Sequence, residues 1–135
     1  MTQTSVASAR SSDFPPASVL IVEDETLLAI ELECLVEDMG LEVAGVYGHL
    51  DAAFASIASN EFEADCAIID VNLSGQSALP LEAHLIQRRI PYVITTGYME
   101  AEVRRMGFAG QIVEKPLHIE ALRSEIIRLV RGGMA

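Results

Sequence analysis

The chain contains no tryptophan, only two cysteines, and nine basic residues against twenty acidic ones. Each shortage closes off a class of function. Tracking a phosphate backbone needs clustered Lys and Arg, so nucleic acid is excluded as a partner, and an anionic membrane surface with it. A net charge of −11 instead suits a protein that binds cations or basic surfaces. Cys34 and Cys66 have neither CxxC spacing nor a histidine at zinc-ligand distance in sequence. Both fall within apolar patterns and are expected as small buried hydrophobes without a disulfide. No apolar run reaches the ~20 residues of a membrane span. The opening stretch "MTQTSVASARSSDFPPAS" lacks the apolar core of a signal peptide, so the expected location is cytoplasmic. His49, His84 and His118 are scattered, and they read as helix-end or surface residues rather than ligands.

What is present is aliphatic. Half of the 135 residues are hydrophobic, enough for one domain with a sizeable core. Residues 1–17 are rich in Ser, Thr and Ala, end near Pro15-Pro16, and read as a disordered tail. From position 18 to 131 strands and helices alternate. Val19–Val22 is a continuous apolar run, as in a strand buried on both faces. Thr26–Met39 carries Leu28, Leu32, Leu35, Val36 and Met39 at helical spacing, and Gly40 stops it. A strand over Leu41–Val46 and a helix over Leu50–Ser59, with Asn60 as its end cap, follow. A third strand, Cys66–Ile69, ends at Asp70. A loop over Gly75–Pro80 leads to a helix over Leu81–Arg89. Strand four is Pro91–Thr95, a short helix covers Glu100–Met106, and strand five is Gln111–Glu114. A last helix runs from Ile119 to Arg131. Five strand–helix units in series predict an α/β domain with a parallel sheet covered on both faces. Ligands of such sheets sit beyond the carboxyl ends of the strands, at a switch in strand order.

The residues at those ends share one chemistry. Strand one ends in Glu23 and Asp24, strand three in Asp70, strand four in Thr95 and Thr96, and strand five in Glu114 and Lys115. Three acids at one rim repel, and a divalent cation offsets them; hard oxygen donors suit Mg²⁺. Lys115 and the Thr96 hydroxyl would then hold a bound anion. A carboxylate, a metal, a lysine and a threonine fit phosphoryl transfer onto an aspartate. A plainer role exists for some of these groups. Glu23 and Asp24 could cap the first helix, and Glu25 is expected to serve only that purpose. Thr95 is expected to be structural, on the strand face opposite Thr96. Arg104, Arg105, Arg123, Arg128 and Arg131 are expected in solvent.

The stretches "VLIVEDE", "AIIDVNL", "VITTGY" and "VEKPL", in that order, resemble the receiver domain of two-component response regulators over residues 18–131. The resemblance implies a flavodoxin-like doubly wound (βα)5 fold with strand order 2-1-3-4-5. It also implies a role for each rim residue. Asp70 is the implied phosphoacceptor. Glu23, Asp24, Asp70 and the backbone carbonyl of Asn72 are the implied Mg²⁺ ligands. Thr96 and Lys115 are the implied switch and phosphoryl-binding residues, and Lys115–Pro116 the implied cis bond. The implied donor is a histidine kinase or phosphotransfer protein, and the output is an unknown downstream protein or a phosphate sink. Two positions depart from the family pattern: Ile112 replaces a usual aromatic and Ser74 a usual proline. The stretch "DVNLSGQSALPLEAHLIQRRIPYVITTGY" is similar to the FAT GUY subgroup, which lacks that aromatic and often accompanies HWE-type kinases, although Thr95 stands where the subgroup has alanine. Tyr98, or the segment from Gly97 to Gly110, is therefore expected to carry the response that Ile112 cannot. The expectation is a phosphoacceptor rather than a turnover enzyme, as a monomer or weak dimer. Two other readings remain open: a Mg²⁺-dependent phosphohydrolase with an aspartyl nucleophile, and a degenerate receiver that binds partners without phosphorylation.

Overall fold

A computed structural model of the chain describes residues 16–59 and 62–132. The expected tail falls, for residues 1–15, outside the described residues, as does the Asn60 cap. Ala17 already belongs to the fold, since its carbonyl accepts the Glu42 amide at 2.9 Å.

The elements are β1 (Ser18–Val22), α1 (Thr26–Asp38), β2 (Glu42–Tyr47), α2 (Leu50–Ala58), β3 (Cys66–Asp70), β4 (Asn72–Leu73), β5 (Gln76–Ser77), α3 (Leu79–Gln87), β6 (Tyr92–Thr96), α4 (Glu100–Arg105), β7 (Gln111–Glu114) and α5 (Ile119–Gly132). Five strands form one sheet in the order β2-β1-β3-β6-β7, and every pairing in it is parallel. This is the expected 2-1-3-4-5 order, because β4 and β5 pair only with each other in a small antiparallel hairpin.

Alternation along the strands divides the core in two. Leu20, Val22, Ile69 and Ile94 face one side, where Ile57 of α2, Leu81 and Leu85 of α3 and Val103 of α4 cover them. Val19, Ile21, Ile68 and Val93 face the other, under Leu32, Leu35 and Val36 of α1 and Leu122, Ile126 and Leu129 of α5. Both faces of the central strands are buried, which is why they read as unbroken apolar runs. Each fully buried Leu or Ile contributes roughly 1.5–3 kcal/mol to this packing. Parallel strands that all point one way bring their carboxyl ends to one rim, and that fixes where the polar residues meet.

Two expectations change here. Cys34 is exposed on α1 rather than buried. The apolar stripe of α1 runs through Ala29, Leu32, Leu35 and Val36, and position 34 points away from it. Cys66 is buried as expected, and burial together with the neighbouring Asp65 charge pushes its thiol up to about 12. The second change is the stretch expected as a loop over Gly75–Pro80. It contains half of the hairpin, and α3 starts at Leu79 with Pro80 inside its first turn. Proline is tolerated there because first-turn amides have no intrahelical partner.

Charge is divided along the chain. No Lys or Arg occurs between Arg10 and Arg88, whereas fifteen of the twenty acids do. That segment supplies β1, β2, β3, α1 and α2, and the more basic remainder supplies β6, β7, α4 and α5. The β2–β1 flank is therefore acidic, whereas residues 100–131, from α4 to α5, carry six of the nine basic residues beside five acids.

Candidate functional site

β1 runs out at Val22, and the Glu23 amide still donates to Tyr47 O of β2 at 2.9 Å, so the first acid is held by the sheet's last rung. Asp70 is the final residue of β3, Thr96 of β6, and Lys115 directly follows β7. The Lys115 amide donates to Thr96 O at 2.7 Å, tying these two ends together. The Lys115–Pro116 bond is cis, as the resemblance implied.

The rim residues converge. Glu23, Asp24 and Asp70 each offer a carboxylate oxygen, and these oxygens lie within 4.8 Å of one another, an arrangement able to hold a metal ion. Lys115 reaches across the rim: its Nζ is 2.7 Å from Asp70 Oδ2 and 3.1 Å from Glu23 Oε1. The sequence reading assigned the neutralising charge to a metal; in this structure Lys115 takes a share of it. Burial tends to lower the Lys115 ammonium, but the hydrogen bond and charge of Asp70, reinforced by Glu23, hold it above its usual value. Glu23 is pushed up to about 7, chiefly by burial and further by Asp70, against the opposing pull of the Glu25 amide and Lys115. Its Oε1 is buried and accepts no hydrogen bond although Lys115 stands close. A buried, underused carboxylate oxygen beside two other acids fits a hard divalent cation.

The capping roles considered for the acids are not observed. Glu25 is the N-cap of α1 but makes no side-chain cap bond, and the first turn holds no acid. Glu23 Oε2 instead accepts the Glu25 amide at 3.0 Å. Asp24 Oδ2 accepts the Ser74 amide at 2.8 Å, and Asp70 Oδ1 accepts the Asn72 amide at 3.2 Å. Asn72 Oδ1 in turn accepts the Gly75 amide at 2.9 Å. The hairpin thus fastens onto both carboxylates.

Thr96 is fully buried, and its Oγ1 accepts the Tyr98 amide at 2.9 Å. A hydroxyl that accepts here keeps its own hydrogen available for another oxygen. Thr95 lies on the alternate face, as expected, with Oγ1 donating toward Ile69 O at 3.5 Å. Tyr98 is exposed, whereas Ile112 packs against the larger core cluster.

One functional-looking group escaped the sequence reading. Glu82 of α3 is buried, and its Oε2 accepts the Tyr92 hydroxyl at 2.6 Å and the amides of Ala109 and Gly110 at 3.0 and 2.9 Å. Arg104, expected in solvent, donates to the carbonyls of Phe108 and Gly110 at 3.1 and 2.9 Å. An anion on the amides and a cation on the carbonyls grip the segment that leads into β7. The available signal was Glu82 lying beside Leu81 and Leu85 in the buried stripe of a short helix, where an acid needs partners.

No family model matches the chain. It is 36% identical over 84 residues to the phyllosphere-induced regulator PhyR of Methylorubrum extorquens, a match over 61% of this chain and 31% of that one. The chain therefore spans about a third of that relative's length. Its fold matches the receiver domain of PhyR from Erythrobacter litoralis at a TM-score of 0.73 and 27% identity, covering 84% of this chain and 89% of that one. The chain thus shares its fold with the receiver domains of response regulators. A second structural neighbour is SdrG from Sphingomonas melonis, at 29% identity and a TM-score of 0.71, with 85% and 97% covered. A CheY-like receiver domain from Methanospirillum hungatei, at 20% identity and a TM-score of 0.75, matches in fold, with 87% and 96% covered. On that shared fold, the rim gathers three carboxylate oxygens and the Lys115 ammonium at the carboxyl ends of the strands.

Proposed function

We propose that the domain accepts a phosphoryl group on Asp70 from a histidine kinase or phosphotransfer protein and passes the signal on by protein contact or as a phosphate sink. The single observation that carries this reading is the convergence of Glu23, Asp24, Asp70 and Lys115 at one rim. Glu23, Asp24, Asp70 and the Asn72 carbonyl would hold Mg²⁺, which when bound offsets the negative charge of the incoming phosphoryl group. An Asp70 carboxylate oxygen attacks phosphorus; the P–N bond to the donor imidazole breaks as the P–O bond forms, and the imidazole leaves. Lys115 then exchanges its Asp70 partner for a phosphoryl oxygen. Thr96 donates its hydroxyl hydrogen to another such oxygen while still accepting the Tyr98 amide. Any shift of the Thr96 hydroxyl is thereby transmitted to Tyr98 and the following segment. This route needs no aromatic at position 112, where Ile112 stands. The domain modifies itself and is not a turnover enzyme. It works in the cytoplasm, and a kinase of the HWE type is the donor the FAT GUY resemblance favours.

The test is treatment with acetyl phosphate and Mg²⁺. Intact mass should rise by one phosphoryl group in the wild type and not in Asp70→Asn, whose fold is retained. Amide spectra of the treated wild type should move over residues 97–110 more than over α1. An unmodified wild type, or steady release of phosphate from added esters, would refute the proposal.

A further inference from the structure

We infer that the Ser74 amide is a positioning group for the cation site: it holds Asp24 where its carboxylate can act as a ligand. The inference rests on the reading of Glu23, Asp24 and Asp70 as that site, and adds to it a residue that ligates nothing itself.

The three acids are not equally restrained. Glu23 and Asp70 are buried and face Lys115. Asp24 is exposed, and among the described residues no Lys or Arg pairs with it. An exposed aspartate beside two like charges is expected to swing toward water. The bond from Ser74 N at 2.8 Å, bridging fifty positions of sequence, opposes that swing.

The hairpin is shaped to make this bond. Leu73 pairs with Gln76 and Asn72 with Ser77, leaving Ser74 and Gly75 as a two-residue loop. Their φ angles are 53° and 88°, both in the left-handed region that such tight turns require. The Ser74 N–H lies outside the strand pairing and is directed at Asp24. The same loop is braced by Gly75 N on Asn72 Oδ1, and it is anchored to β3 by Asn72 N on Asp70 Oδ1. One four-residue unit therefore sets the positions of two carboxylates that come from different strands. The Ser74 side chain takes no part, being exposed; the backbone donor and the positive φ carry the function.

Two substitutions separate these elements. Ser74→Pro restores the proline that receivers usually carry here, but in this chain's positive-φ hairpin it deletes the N–H and cannot adopt the turn, so the device belongs to this hairpin. Ser74→Gly keeps the N–H and favours the turn. Titration calorimetry with MgCl₂ should find binding to Ser74→Pro weakened roughly tenfold, the usual effect of losing a group that orients a ligand, and Ser74→Gly within about twofold of wild type. Wild-type affinity in Ser74→Pro, or an equal loss in Ser74→Gly, would overturn the inference. A second measurement leaves the hairpin sequence unaltered: the Ser74 amide should exchange with solvent slowly in the wild type and faster in Asp24→Ala. Equal exchange rates would also overturn it. A wild-type protein that takes up no Mg²⁺ would overturn the cation reading itself, a result distinct from either of these.

Discussion

Glu23 shows how a single side chain can weaken a fold in exchange for a site. Its carboxyl is raised from 4.5 to about 7 by burial first and Asp70 second. Between those values the folded chain holds a proton that the unfolded chain has released, so stability falls as pH rises through that window. Thermal unfolding in the presence of chelator should give a higher midpoint at pH 5 than at pH 8, and the difference should shrink in Glu23→Gln. An unchanged difference in that variant would place the pH dependence elsewhere. The residues of the rim were legible in the sequence because each follows a recognisable apolar strand, and parallel strands can end only on one side. The partners of those residues were not. Nothing in the order of residues says that Lys115 spans to both Glu23 and Asp70, or that Ser74 donates to Asp24 from fifty positions away. Such contacts depend on side-chain reach and turn geometry, which periodicity does not encode.

At the level of elements, strands buried on both faces announced themselves and short polar ones did not. β4 and β5 are two residues each, too brief for alternation to register, although Ser74-Gly75 between them is a turn-forming pair. The grip of Glu82 on the start of β7 was hidden for a different reason: a lone acid in a helix is ordinarily read as solvent-facing. Its replacement tests how much that grip contributes. Glu82→Ala would leave the Tyr92 hydroxyl and two backbone amides without their acceptor, a loss of about 3 kcal/mol or more measurable by urea unfolding. Stability within about 0.5 kcal/mol of wild type would show that water replaces the carboxylate. Under the proposed function, the same anchor would limit how far a response starting at Thr96 spreads. The segment is tied at one end by the Tyr98 amide and at the other by Glu82 and Arg104, so α4 is the element between two fixed points.

For the molecule as a whole, a cation that binds only the folded rim stabilises by mass action. Mg²⁺ at one hundred times its dissociation constant should contribute about 2.7 kcal/mol, a rise in melting temperature of roughly 10 °C for a domain of this size. Asp24→Ala should abolish most of the rise, and a wild type whose melting temperature ignores Mg²⁺ would argue against the site. The partition of charge noted along the chain acts at longer range. With most of its acids on the segment from β1 to β3 and six of its nine cations between α4 and α5, the domain is a dipole as well as an anion. A field exerts torque on a dipole before any surfaces touch, within the ~8 Å over which physiological salt leaves charges visible. A cationic visitor would rotate the domain until the β2 edge led, and an anionic one would draw the β7 edge forward. Asp70, on the central strand between those poles, would be approached from a direction chosen by the visitor's own sign.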